Sequence, residues 1–238
     1  MLLSTRALVL QAIRYKDHQL IIKVFSEARG ALTLITSAGG KKGKTNRLAF
    51  QPLAVVDVQI DYKEKHDMHR IKDLRIQDPH HSMHSHPAKV FLALFMAELT
   101  QKSTRNEGQS QTLFEYLVSC SDNLEQCTTP SPDFAIRFIL GLVAQLGIRP
   151  HARLREEDRY FNLNEGTFDG RYINDEVCLD IAHSDILNRM LTSKDGEQET
   201  MKRSDRQQLV RAMIRYLQIH SPGMGPVKSL DVLESILT

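Results

Sequence analysis

Five short runs of β-branched and aliphatic residues follow one another along the first seventy-odd positions, and they limit the fold more than any other feature. They are Ala7-Leu8-Val9-Leu10 with Ile13, then 20–25, 31–35, 54–60 and 68–76. Turn-forming stretches separate them, among them Lys16-Asp17-His18 and Glu27-Ala28-Arg29-Gly30. Five strands at roughly ten-residue spacing suit a small closed barrel, because closure leaves no unpaired edge. An OB-type barrel and an SH3-like barrel both fit this pattern, and periodicity does not separate them.

From Pro87 the period changes to that of a helix. Val90, Leu94, Ala97 and Glu98 share one spacing, and Leu113, Leu117, Cys120 and Leu124 repeat it. A third helix is expected over 133–146, with Ser131-Pro132 as its start signal and Gly147 as its stop. Residues 149–180 lack helical periodicity, and Tyr160–Gly166 reads as a strand entering a turn. Helices return over 203–220 and 229–237, on either side of the breaker Ser221-Pro222-Gly223-Met224-Gly225-Pro226. The expected class is therefore α+β. A five-stranded barrel domain would span 1–80, and a mostly helical domain 81–238, with an irregular insert at about 150–180.

The net charge of +2 conceals a division. Through Ile76 there are 14 Lys and Arg against 7 Asp and Glu, whereas the remainder holds 17 against 22. A basic barrel joined to an acidic helical part points to polyanion contact by the barrel. The apolar runs 90–97 and 138–146 are too short to span a bilayer, and the start lacks the pattern of a secretory leader. Cys120, Cys127 and Cys178 form no CxxC pair and read as reduced, small apolar side chains.

Ala38-Gly39-Gly40-Lys41-Lys42-Gly43-Lys44-Thr45 nearly spells a nucleotide-binding phosphate loop, with alanine in the first glycine position. That chemistry needs a helix directly after the loop, and Pro52 together with a following strand pattern speaks against one. A cationic hairpin loop is the better reading. Lys41, Lys42, Lys44 and Arg47 fall within seven residues and suit phosphate neutralisation. Arg6, Arg14, Lys16, Lys23 and Arg29 add to the same domain, while Tyr15 and Phe50 flank cations and suit stacking on bases, although each ring taken singly is more often barrel core. The histidines of 80–86 invite a metal reading, but prolines and serines around them argue for an exposed interdomain linker without a helix. No nucleophile, acid–base pair or metal-ligand set emerges, so neither catalysis nor a cofactor is expected.

Taken in order, these segments resemble the RecO family of bacterial recombination mediators. The matching stretches are Arg6–Leu10, Leu20–Ser26 with Glu27–Gly30, the Gly/Lys loop, and Phe50-Gln51-Pro52-Leu53. Farther on come 134–147 with Ile148-Arg149-Pro150, then Lys228-Ser229-Leu230-Asp231-Val232-Leu233. The resemblance implies an OB barrel on a helical domain that binds single- and double-stranded DNA and anneals strands. It also implies action with RecR in loading RecA on DNA coated by single-stranded DNA-binding protein, in the cytoplasm at the nucleoid. DNA contacts are expected from Arg6, Arg14, Lys16, Lys41, Lys42, Lys44 and Arg47. Arg137, a cation among apolar neighbours, is the candidate for docking the tail of single-stranded DNA-binding protein. Snorkelling to solvent or pairing with a carboxylate within the fold is the commoner reading of such a residue. Many members carry a four-cysteine zinc knuckle after the "LG-x-x-P" element. Here 151–180 holds only Cys178, so packing by Tyr160, Phe161, Leu163 and Phe168 is expected instead. A nucleotide hydrolase using the Gly/Lys loop and an RNA-binding regulator with the same barrel are the other readings.

Overall fold

A computed structural model describes residues 1–15, 18–37, 49–78, 80–105, 107–193 and 201–236. Strands β1 (Leu2–Tyr15), β2 (Gln19–Ser26), β3 (Gly30–Ser37), β4 (Val55–Asp61) and β5 (His69–Asp78) form a closed barrel in the order β1-β2-β3-β5-β4. The long β1 pairs antiparallel with both β2 and β4, and a short parallel β3–β5 pairing closes the ring. This is a five-stranded Greek-key barrel of the OB type, which settles the choice that periodicity left open.

A bulge between Val9 and Gln11 divides β1 into two functional halves. Before it, Ala7 and Val9 point inward with Val24; after it the phase reverses, and Ala12 stands opposite the core residue Ile22. One inserted residue thus turns the outward side of β1 from even to odd positions. The core contains Ala7, Val9, Ile22, Val24, Leu34, Val56, Val58 and Ile60, with Ala49, Phe50 and Ala54 packed among them. Phe50, read between stacking on bases and barrel core, is 8% exposed and fills the core. A phenyl ring excluded from water contributes more inside a small barrel than beside a loop.

Helices follow the barrel: α1 (His81–Ser85), α2 (Pro87–Ser103) and α3 (Gln111–Gln126). α2 packs on β1 and β2, and α3 packs on β1. Leu8 and Phe25, paired directly across strands, are therefore 0% exposed although they alternate with the barrel's inner residues. The buried side of α2 is Leu92, Phe95, Met96 and Leu99, while Leu94, expected on the inner face, is 42% exposed. The helix is apolar almost all round, so spacing alone misjudged its facing. Gly30 holds φ +69°, and a Cβ there would overlap the Gly108 carbonyl, so only glycine permits the 107–108 backbone to lie against this turn.

The expected exposed linker at 80–86 is a short helix whose His80 and Met83 are buried, while Ser85 and His86 are exposed as expected. Glu125 Oε1 and Oε2 accept the backbone N–H groups of Ser82 and Met83 at 2.8 and 2.6 Å. Met83 is fully buried, and His80, 1% exposed, lies 3.5 Å from Asp122. Lys89 Nζ donates to Ser82 Oγ and to the Glu125 carbonyl. The carboxylate that satisfies this helix start comes from more than forty residues away, so the local sequence gave no sign of it.

The chain divides into two compact units, Met1–Pro130 with Val227–Leu233, and Ser131–Pro226 with Glu234–Thr238. In the second, α4 (Phe134–Gln145) packs on α6 (Arg203–His220), with α5 (Ile181–Thr192) also against α6. Their facing residues Ile136, Ile139, Leu142, Leu209, Met213 and Leu217 are buried. α5 was not anticipated, although Asp180 begins it and accepts from His183 N as an N-cap. The insert carries a small hairpin of β6 (Tyr160–Asn162) and β7 (Thr167–Asp169). Phe161 and Leu163 are buried there as expected, with Phe168 set edge-on to Phe161. The last helix, α7 (Ser229–Ile236), follows the Pro/Gly breaker.

Candidate nucleic-acid interface

The outward side of the β1–β2–β3 sheet is covered by helices on one half and open on the other. On the open half, beyond the bulge, the register places three rows of side chains across the strands. The first row is Gln11, Lys23 and Thr33. The second is Ile13, Ile21 and Ile35, continued onto β5 by Arg70. The third is Tyr15, Gln19 and Ser37. None of these residues is a carboxylate. Ile13 is 44% and Tyr15 38% exposed, Arg70 is exposed, and Lys23 is half-buried. Lys23 Nζ is held by Thr33 Oγ1 at 3.0 Å, which fixes the cation on the face. Asp61 on β4 stands across from Arg70 at the margin of the second row. β3 ends at Ser37, where the Gly/Lys segment begins.

The cations singled out in the sequence differ in their surroundings. Arg6 lies before the bulge, and Nε and Nη2 donate to both oxygens of Glu27 at 3.0 and 2.6 Å. Its guanidinium also sits 5.1 Å from the centre of the Phe114 ring. The hydrogen bond to Glu27 raises the Arg6 pKa, and the same bond holds the Glu27 carboxyl below its ordinary range. Arg14 is exposed and pairs across from Leu20, on the opposite side of the hairpin from Tyr15. Lys16, Lys41, Lys42, Lys44 and Arg47 lie outside the described residues. Arg29 stacks over the Tyr62 ring at 5.1 Å. In the second unit, Arg137 Nε donates to Asp133 at 2.6 Å, one helical turn before it. Burial pushes the Asp133 carboxyl up, and hydrogen bonds from Ser131 and Arg137 more than reverse this, leaving it lowered.

Sequence reasoning missed Arg70 and the isoleucine row. The signal was present in the alternation of β2, where Ile22 and Val24 are core and Ile21 and Lys23 must face out. The phase change in β1 hid it, because a bulge is not legible in an unbroken apolar run. Among the described residues no three His, Cys, Asp or Glu side chains converge on a point that would hold a metal ion. Among them, too, no helix is long and apolar enough to cross a membrane.

Comparison with known proteins agrees with this architecture. Residues 1–80 match the family model described as recombination protein O N terminal, and residues 84–231 match recombination protein O C terminal. The DNA repair protein RecO of Christiangramia forsetii is 28% identical over 240 residues, covering 99% of both chains. That of Bacteroides fragilis is 28% identical over 242 residues at the same coverage. That of Flavobacterium psychrophilum is 26% identical over 245 residues and covers both chains completely. Matched along almost its whole length, with a closed OB-type barrel ahead of a helical region, the chain belongs to the recombination protein O family of DNA repair.

Proposed function

We propose that the chain is a recombination mediator that binds single- and double-stranded DNA through its barrel, without catalytic turnover. Residues 1–80 serve as the DNA-binding domain and residues 81–238 as the protein-docking domain. What supports the reading most is the open face of β1–β3, whose three rows carry no carboxylate within those strands, with Lys23 on it and Arg70 at its margin across from Asp61. In the sequence the basic Gly/Lys run follows β3 directly. Arg14, Lys16, Lys41, Lys42, Lys44 and Arg47 supply further phosphate contacts. Such cations displace condensed counterions from the backbone, so affinity falls steeply with salt. Holding two phosphate backbones on one cationic surface lowers their mutual repulsion and lets complementary strands anneal. Arg6 is the weakest member of the set, because Glu27 already neutralises it.

Action with RecR in loading RecA, and docking of the acidic tail of single-stranded DNA-binding protein near Arg137, complete the proposal. The cytoplasm, at the nucleoid, is its proposed location. The test is binding of labelled single-stranded and duplex oligonucleotides across a salt series, with and without ATP, beside RNA of the same sequence. Steep salt dependence, no ATP hydrolysis and no preference for RNA are expected. ATP turnover abolished by Lys44→Ala, or RNA bound well above DNA, would replace this reading.

A further inference from the structure

We infer that the row Ile13, Ile21 and Ile35, with Tyr15 beside it, is a platform for unpaired bases that makes the open face select single strands over duplex. The inference rests on the proposal that the barrel binds DNA, and adds which feature of DNA this face distinguishes. A water-facing barrel surface is normally polar, and polar alternation is what keeps isolated barrels from associating. Here three β-branched side chains stand in register across three strands, and an aromatic ring lies in the next row. Phosphate gains nothing from such a surface, whereas the faces of unpaired bases gain by covering it. In a duplex those faces are already stacked on one another and turned inward, so only a single strand can use the row.

Charge and spacing favour the same occupant. Within β1–β3 no carboxylate interrupts the three rows. Lys23 stands in the row beside the isoleucines, and Arg70 ends their row with Asp61 of β4 across from it, so Lys23 is the cation placed best for a phosphate of a backbone passing there. Successive rows on one face lie ~6.8 Å apart along a strand. That is about twice the 3.4 Å spacing of stacked bases, so a splayed chain can set one base on each row. The face thus holds about three nucleotides. Two separable contributions result: a salt-dependent attraction common to single and double strands, and a salt-insensitive term reserved for bases.

The experiment compares wild type with the double variant Ile13→Ser/Ile21→Ser and with Tyr15→Leu and Tyr15→Phe. Fluorescence anisotropy would give affinities for a labelled oligothymidylate and for a duplex of equal length at several salt concentrations, after circular dichroism has confirmed folding. The double variant and Tyr15→Leu are expected to lose about tenfold in single-strand affinity per base contact removed, with the salt slope unchanged. Tyr15→Phe keeps the ring and is expected to keep the affinity, which covers the case of a double variant that fails to fold. Duplex affinity is expected to stay within about twofold, since duplex binding draws on the cations. Unchanged single-strand affinity in the double variant and Tyr15→Leu, or equal losses for both substrates, would overturn the platform and leave the row as a protein-docking surface. Wild type that bound neither substrate would instead overturn the DNA-binding proposal itself.

Discussion

Glu98 on α2 accepts both the backbone N–H and the hydroxyl of Ser229, at 2.8 and 2.6 Å on the same carboxylate oxygen. Its other oxygen accepts Lys228 N at 3.0 Å and lies 3.2 Å from Lys102 Nζ. A carboxylate on one helix thereby caps the start of α7, a helix 131 residues farther along the chain. Loss of a cap of this kind costs about 1–2 kcal/mol, so Glu98→Ala should lower the melting temperature measurably. Burial pushes the Glu98 carboxyl up, but the hydrogen bonds from Ser229 and Lys228 outweigh it and leave the pKa lowered. A carboxylate lowered on folding stabilises fully above its unfolded pKa, and that contribution disappears as pH falls through the folded value. The melting-temperature gap between wild type and Glu98→Ala should therefore be full at pH 7 and shrink below about pH 4. A constant gap across that range would mean that Glu98 acts through packing alone.

Arg6 offers a test of how charge counted in a sequence differs from charge available on a surface. Its bidentate bond to Glu27 and its stacking on Phe114 serve the fold of the first unit. Both partners are partly exposed, so Arg6→Ala should cost only about 1 kcal/mol of stability. The log–log salt slope of DNA binding should not change, because the lost cation was already neutralised. A slope smaller by roughly 0.7–0.9 would show that Arg6 leaves Glu27 to contact phosphate.

The barrel was legible because its strands are short, branched and separated by turn residues, which are local signals. The helices 203–220 and 229–236 were legible for the same reason, with a strong breaker between them. What escaped depended on partners distant in sequence. The 80–86 stretch looked like a linker because Glu125, which caps it, lies in another helix. Phe50 was readable either way, with cations beside it and an apolar ring, and the barrel core takes it. The isoleucine row escaped because a single bulge residue reverses the facing of half of β1. Arg137 was readable either as a docking cation or as one paired inside the fold, and the helix brings Asp133 under it.

Packing of the 151–180 insert gives a prediction about zinc. Phe161 is fully buried, 5.2 Å from the Phe168 ring and 6.0 Å from Tyr216. Its N–H is held by Ser184 Oγ, which ties the hairpin to α5. Phe161→Ala should cost about 3–5 kcal/mol, the usual range for emptying a buried aromatic site. A chelator should leave the melting temperature of wild type unchanged, since the insert has an apolar core and a single cysteine. Stoichiometric zinc, lost together with stability, would refute this.

Docking at Arg137 is tested by titrating a labelled acidic peptide with an aromatic end against wild type and Arg137→Ala. The Asp133 bond must open or be shared for Arg137 to reach a peptide carboxylate, so a modest loss of about fivefold is expected. Equal affinities for the two proteins would move the docking site elsewhere.

The basic segment after β3 carries the strongest prediction about affinity. Lys41, Lys42, Lys44 and Arg47 are 4 of the 14 cations in the first 76 residues, and their removal would take more than half of that part's excess positive charge. Replacing all four with alanine should weaken binding to single strands and duplex alike, because phosphate is common to both. The log–log slope should fall by about 3, which is four contacts at roughly 0.7–0.9 each. Stability should be nearly unchanged, since removing clustered like charges relieves their repulsion. The result also discriminates within the site: this variant should lose slope and keep its preference for single strands, whereas loss of the isoleucine row should do the reverse. A quadruple variant that kept wild-type affinity and slope would show these cations to be merely solvated, and would leave Lys23, Arg70 and Arg14 as the phosphate contacts.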